Sequence, residues 1–226
     1  MNYKKDNVLV IGDTHLPFEK KGYLEFCKEI QNRCKCGVVV HIGDLVDNHS
    51  ISYHEHDPDG WSPLGEMEAT DEHLKAWFKA FPKLLLCRGN HDSLVDRKSK
   101  TVGLPRRCFK PFRKIWKLPK GWVDDFEFVI NGVMYRHSFG NGKHAHMNGA
   151  TAVGQSLVIG HSHSELAAGY LATSKDRKFG MNVGCGIDRK KYAFAYGKDF
   201  KFKPILGCGV VTDKGKYAQV FPMDLE

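Results

Sequence analysis

The sequence predicts an α/β fold, on three observations. Short runs, apolar or β-branched, recur at 8–11, 38–42, 84–87, 128–130, 133–135, 157–159 and 210–211, and most stop at Gly, Asn or Asp. Apolar runs of this length read as strands, several of them buried on both faces. The first three are separated by two stretches with helical spacing. "KKGYLEFCKEIQNRCK" sets Tyr23, Leu24, Cys27 and Ile30 near one stripe, and "GEMEATDEHLKAWFKAF" does the same with Met67, Leu74, Trp77, Phe78 and Phe81. The second helix is expected to end before Pro82, because the residue preceding a proline is pushed out of the helical region. Strand and helix in alternation argue for α/β in the N-terminal half.

The remaining elements follow in order. Residues 48–66, rich in His, Asp and Gly, read as a long loop over one end of the sheet. After about residue 120 strands dominate, and "FEFVINGVMYRH" reads as a hairpin turning on Asn131-Gly132, the dipeptide that a tight two-residue turn favours. The 226 residues suit a single domain, 1–226, with the loop at 48–66 and a basic insertion at 97–120.

Composition narrows the class. Hydrophobic residues make up 42% and charged residues 27%, which excludes disordered and fibrous chains. No apolar run is long enough to cross a bilayer, so a membrane is not an expected partner. The apolar part of "MNYKKDNVLVIGD" is four residues long, too short for a secretion signal. A soluble, cytoplasmic protein is expected, with its seven cysteines reduced and mostly buried as small hydrophobes. Oligomeric state is left open.

The net charge of +8 is local. Segment 97–120 holds ten Lys or Arg and no Asp or Glu; without it the chain carries 24 basic and 26 acidic residues. Phe109, Phe112 and Trp116 interleave with those cations. Cation plus aromatic suits a phosphate-bearing or nucleic-acid ligand, and a solvated loop with core anchors explains the pattern equally well.

The chemistry sits where the runs end. "VLVIG" is followed by Asp13-Thr14-His15, "VVVHIG" by Asp44-Leu45-Val46-Asp47, "LLLCRG" by Asn90-His91-Asp92, "VMYR" by His137, and "LVIG" by His161-Ser162-His163. Loops at the carboxyl ends of strands in an open α/β sheet converge on one crevice, so these residues are expected as neighbours. Carboxylate, amide and imidazole donors without thiolate suit Mn, Fe or Zn, and there are too many of them for one ion.

"GDTH", "GDLVD", "GNHD", a lone His137 and "GHSH", in that order, resemble the calcineurin-like metallophosphoesterases. "MNVGCGID" also resembles the Asn-x-Gly strand turn that follows the last His motif of that family. The resemblance implies a four-layer sandwich, two mixed β-sheets between helices, with a dinuclear metal site at the C-terminal ends of strands. It implies two divalent ions, Mn first, with Fe, Zn, Ni or Co as alternatives. Asp13, His15 and His163 would hold one ion, Asn90, His137 and His161 the other, and Asp44 would bridge them. His91 would give a proton to the leaving oxygen, and Asp47 would orient it. The implied reaction is hydrolysis of a phosphoester by a hydroxide bridging the metals.

The sequence departs from the Ser/Thr protein phosphatase branch at two places. Asn48-His49 follows Asp47 where that branch has Arg-Gly, and Asp92 stands where it usually has Glu. Arg88, Arg136 and the 97–120 segment are the expected substitutes for the missing phosphate-gripping Arg. A phosphodiester, nucleotide or nucleic acid, is therefore the favoured substrate, with nucleic acid engaged through 97–120. A phosphomonoesterase such as a protein phosphatase is the first alternative, and a non-catalytic nucleic-acid-binding module on the same fold is the second. His54, His56, His144 and His146 form two further His-x-His pairs, expected as loop histidines rather than a third metal site. His41 is expected in the core and His73 on a helix surface.

Overall fold

The computed structural model describes residues 6–53, 59–140, 142–191 and 201–224. Strand β1 (Asn7–Ile11) leads through helix α1 (Tyr23–Arg33) to β2 (Cys36–His41), and helix α2 (Pro63–Ala80) leads to β3 (Leu84–Cys87). Helices α3 (Leu94–Thr101) and α4 (Phe112–Ile115) precede β4 (Trp122–Asp125). β5 (Glu127–Ile130) and β6 (Val133–Arg136) form the hairpin, and helix α5 (Ala145–Val153) leads to β7 (Ser156–Ile159). β8 (Leu166–Ala172), β9 (Arg177–Val183), β10 (Gly207–Thr212) and β11 (Tyr217–Pro222) complete the chain.

These strands make two mixed sheets. The first has six strands in the order β11-β10-β1-β2-β3-β4, and the second has five in the order β5-β6-β7-β9-β8. β1 to β4 run parallel, and the antiparallel β10-β11 pair is attached beside β1. Alternation along the strands sorts the core into layers. Val8, Val10, Val38 and Val40 of the first sheet face Tyr135, Val158, Phe179, Met181 and Val183 of the second. Leu9, Ile11, Val39, Leu84 and Leu86 point the other way, onto Tyr23, Cys27, Ile30, Leu74 and Trp77 of α1 and α2. Ala145 and Ala150 of α5 cover Leu157 and Ile159 on the far side of the second sheet. The result is four layers, helices outside and two sheets within.

Local chemistry explains the boundaries. Ser62 caps α2 by accepting from the Gly65 amide at 3.2 Å, with Pro63 at the first helical position, where its missing N–H costs nothing. The hairpin closes on Asn131 and Gly132 with φ of 53° and 75°, the left-handed pair that the right-handed twist of the strands requires.

Several expectations need correction. The loop expected over 48–66 contains a short 3-10 turn, His49–Ile51, and ends where α2 begins. The buried stripe of α2 runs Glu66, Thr70, Leu74 and Trp77, so Met67 faces outward. Glu66 is buried because its carboxylate accepts from the His49 and Ser50 amides at 2.7 and 2.8 Å. Segment 97–120, expected as a basic insertion, completes α3, includes a 3-10 turn at Arg106–Cys108 and forms α4. Phe112 and Trp116 join the core between helices and sheet. His41 is buried, and His73 is a partly exposed helix residue paired with Glu19 at 2.7 Å. His54 and His56 lie outside the described residues. No helix among the described residues is long and apolar enough to cross a membrane.

Candidate metal centre

Both sheets contribute to one cluster at the carboxyl ends of their strands. β1 delivers Asp13 and His15, β2 delivers Asp44 and Asp47, and β3 delivers Asn90 and His91. β6 delivers His137, and β7 delivers His161 and His163. Around the Nε2 of His137 lie Asn90 Oδ1 at 2.9 Å, His161 Nδ1 at 3.1 Å and Asp44 Oδ2 at 3.2 Å. Around the Nε2 of His163 lie Asp13 Oδ2 at 3.1 Å and His15 Nε2 at 3.2 Å. Asp44 Oδ2 stands between the two groups, 3.7 Å from the Nε2 of His15.

The backbone is bent to bring these atoms together. His15, Asp44 and His161 have φ of 48°, 46° and 66°, a region that ordinary side chains avoid and that concentrates at functional sites. Two glycines admit the carboxylates. A Cβ on Gly89 would lie 2.1 Å from Asp44 Oδ1, and one on Gly160 would lie 2.4 Å from Asp13 Oδ1. The glycine preceding Asn90 and the one preceding His161 are therefore steric requirements of the cluster. The His161-Ser162-His163 turn is fixed from the next strand. Asn182 on β9 donates to the carbonyls of Gly160 and Ser162 at 3.5 and 3.4 Å, and the His161 amide donates to Asp13 Oδ2 at 2.8 Å.

Further hydrogen bonds orient these donors. His15 Nδ1 donates to Asp47 Oδ1 at 2.6 Å, which turns its Nε2 toward the cluster. His91 Nδ1 donates to the carbonyl of Asp47 at 2.6 Å and lies 3.2 Å from Oδ1. The Asp47 carboxylate thus serves His15 most closely, and its backbone serves His91. The His91 amide donates to Asp44 Oδ1 at 2.8 Å. Asp92, where Glu is usual in the protein phosphatases, accepts from Val46 and Gly89 at 3.2 and 2.8 Å, tying the second motif to the third. Asn48, in the place of their Arg, donates to the His91 carbonyl at 3.1 Å.

Electrostatics follow from this packing. Burial opposes ionisation of Asp13 and Asp44, yet the imidazoles around them, His137 foremost, hold both carboxyls below their usual range. Burial likewise opposes a charge on His91, but Asp44 and Asp47 outweigh it and push the imidazole up to about 10. His137 is pushed up to about 9 against burial by Asp44 and Asp13. His15 and His161 are lowered, chiefly by burial. Burial and the Asp44 charge raise Asp92 to about 7.

These residues fit divalent ions. Asp13 Oδ1 and His137 Nδ1 are buried without a hydrogen-bond partner among the described residues. Imidazole nitrogens face each other in pairs, as donors aimed at a common cation do. Among the described residues three sets bring their donor atoms within 4.8 Å of one another: Asp13-His15-His163, Asp44-His137-His161 and His15-Asp44-His91. The third makes His91 a geometric competitor for ligation. Oxygen and nitrogen donors without thiolate match Mn, Fe or Zn.

Arg88 and Arg136 are engaged elsewhere. Arg88 lies over the Phe126 ring at 4.3 Å with Asp124 at 3.8 Å. Arg136 lies over Phe139 at 5.3 Å with Glu127 at 3.5 Å. Strand alternation explains the second case, because His137 reaches the cluster and its neighbour leaves from the opposite face. The anchoring roles of Asp92 and Glu66 depend on partners in distant segments and carry no signal of their own in the sequence, whereas Asn182 lies in the Asn-x-Gly turn that the sequence does show.

The sequence model of the calcineurin-like phosphoesterases matches residues 7–173, and the chain belongs to that family. No curated protein matches the chain. Similar solved structures include Yfce, a phosphoesterase from E. coli, at 18% identity, covering 92% of this chain and 88% of that one with a TM-score of 0.44. Vps29 from Chaetomium thermophilum is 13% identical, covering 97% and 96%, with a TM-score of 0.46. The Pseudomonas putida nuclease MPE is 15% identical, covering 96% and 87%, with a TM-score of 0.34.

Proposed function

We propose that the protein is a dinuclear metal-dependent phosphoesterase acting on phosphodiesters. One observation carries the reading: seven oxygen and nitrogen donors from five strand ends crowd into two groups that share Asp44. Asp13, His15 and His163 would hold one ion, and Asn90, His137 and His161 the other. Mn is the first choice, with Fe, Zn, Ni or Co as alternatives, because this donor set discriminates weakly among them. Such ions supply positive charge for the phosphoryl oxygens and lower the pKa of water.

The chain's own residues do the rest. His91, with Nδ1 committed to Asp47, keeps Nε2 for proton donation to the leaving alkoxide. Asp47 holds His15 and His91 in register through one short segment. Asn48 has no cationic group to grip a dianionic monoester and is engaged with the His91 carbonyl, which favours a diester over a phosphoprotein. Arg88 and Arg136 contribute to phosphate binding only after leaving Asp124 and Glu127. The seven cysteines are all free thiols in the described residues, which suits a cytoplasmic setting.

Hydrolysis of bis-p-nitrophenyl phosphate and p-nitrophenyl phosphate, each with Mn supplied, tests the reading. Faster turnover of the diester is expected. Preference for the monoester would support a phosphatase, and no turnover with any of the five metals would leave a binding module.

A further inference from the structure

Segment 97–120 looks in sequence like one uniform cationic patch, but its members are not equivalent. Arg106 pairs with Asp96 at 2.8 Å, Arg113 with Asp124 at 3.0 Å, and Lys117 with Asp71. These cations are neutralised by carboxylates from outside the segment. Arg97 and Lys98 are different. Among the described residues no carboxylate pairs with either; both lie close to an aromatic ring instead. The Lys98 Nζ lies 4.1 Å and the Arg97 guanidinium 5.2 Å from the centre of the Tyr53 ring. The Tyr53 hydroxyl meets Thr101 Oγ1 at 3.1 Å, so the ring is fixed at both its face and its tip. It is nevertheless 52% exposed.

This ring stands beside the candidate centre. Arg97 Nη1 donates to the carbonyl of Asn90 at 3.4 Å, so one side chain connects the ring to a proposed metal ligand. The chain reaching Tyr53 is the one that leaves Asp47, anchored at His49 and Ser50 by Glu66. Within the basic segment Phe112 and Trp116 are in the core, and Phe109 is half-buried.

We propose that Tyr53, Arg97 and Lys98 form a binding surface for single-stranded nucleic acid at the rim of the centre. A base lies on the exposed part of the Tyr53 ring, and Arg97 and Lys98 hold the phosphates flanking it. A fixed aromatic loses little freedom on binding, and cations beside it hold the backbone regardless of sequence. The surface rests on the phosphodiesterase reading for its biological use, and it is tested separately.

The test is fluorescence anisotropy of a labelled single-stranded dT12 with hydrolysis-resistant phosphorothioate linkages, measured with the Mn-loaded protein. Tyr53→Leu is expected to weaken binding about tenfold and Tyr53→Phe to keep it, as loss of one stacked base predicts. Arg97→Gln and Lys98→Gln should each weaken binding and flatten its dependence on log salt by about 0.7, the single-strand value per phosphate. Lys28→Gln, which removes one charge on α1, should change neither. Equal effects of Tyr53→Leu and Lys28→Gln, tighter binding of a duplex than of the single strand, or no binding by the wild type would each overturn the surface. Binding retained by a protein that hydrolyses no diester would instead overturn the phosphodiesterase reading.

Discussion

Two His-x-His pairs share a spacing and little else. His161-Ser162-His163 follows β7, and His144-Ala145-His146 enters α5. The first pair meets Asp13, His15 and His137 from two other strand ends. The second meets one carboxylate. His146 Nδ1 lies 3.2 Å and His144 Nδ1 3.5 Å from the two oxygens of Glu165, which also accepts from the His144 amide. His146 is buried and satisfied there, while His144 is largely exposed. Spacing alone does not make a metal site. What distinguishes the first pair is the number of other donors that the topology brings to it, and the buried atoms left without partners beside it.

The comparison is sharpest for metal content. Asp44→Asn should lower divalent-ion affinity by more than about 100-fold, since removing a ligand costs more than the roughly 10–100-fold lost when a ligand's hydrogen-bond partner is removed. Glu165→Gln should leave the number of bound ions unchanged. Elemental analysis of both variants after dialysis against Mn decides this, and equal losses would erase the distinction between the pairs. Next in size is His91→Asn, expected to keep both ions and lose about 10²- to 10⁴-fold in turnover of bis-p-nitrophenyl phosphate. Loss of an ion in that variant would make His91 a ligand, as its distance to His15 and Asp44 permits.

The smallest effect separates the clusters by sign. In chelated protein His91 is raised to about 10, so its contribution to stability is full below its unfolded pKa of about 6.5 and is lost as pH rises through 10. His146 is lowered by burial, partly offset by Glu165, so its contribution is full above about pH 6.5 and is lost as pH falls below it. Thermal melts of the chelated protein across pH should therefore lose alkaline steepness in His91→Asn and acid steepness in His146→Asn. The opposite assignment would show that the carboxylates around His91 do not stabilise its charged form.

The strand cores, and the convergence of the motif side chains at the strand ends, were legible in the sequence for a physical reason. Each motif is local: an apolar run sets a strand, and the polar residues after its glycine fall at the strand's end. The order of five such endings was enough to bring the donors together. What stayed hidden depends on distant partners. Glu66 breaks the apolar stripe of α2 because it caps a turn seventeen residues away. Trp116 among its cations reads equally well as a ligand-binding aromatic or a core anchor, and the turn that ends α4 decides it by seating the ring in the core. The left-handed backbone at His15, Asp44 and His161 has no compositional signal, since those positions are normally given to glycine.

The placement of Asp13 has a mechanical consequence. It ends a strand of one sheet, yet its carboxylate takes the amide of His161 and its carbonyl takes the amide of Gly186, both arriving from the other sheet's side. Ions seated at this rim would rivet the two halves of the sandwich, adding binding energy only while the halves stay closed. Stripping them would unpin one edge of the seam and spare the outer helices, so the molecule should begin to open along its middle like a hinged book.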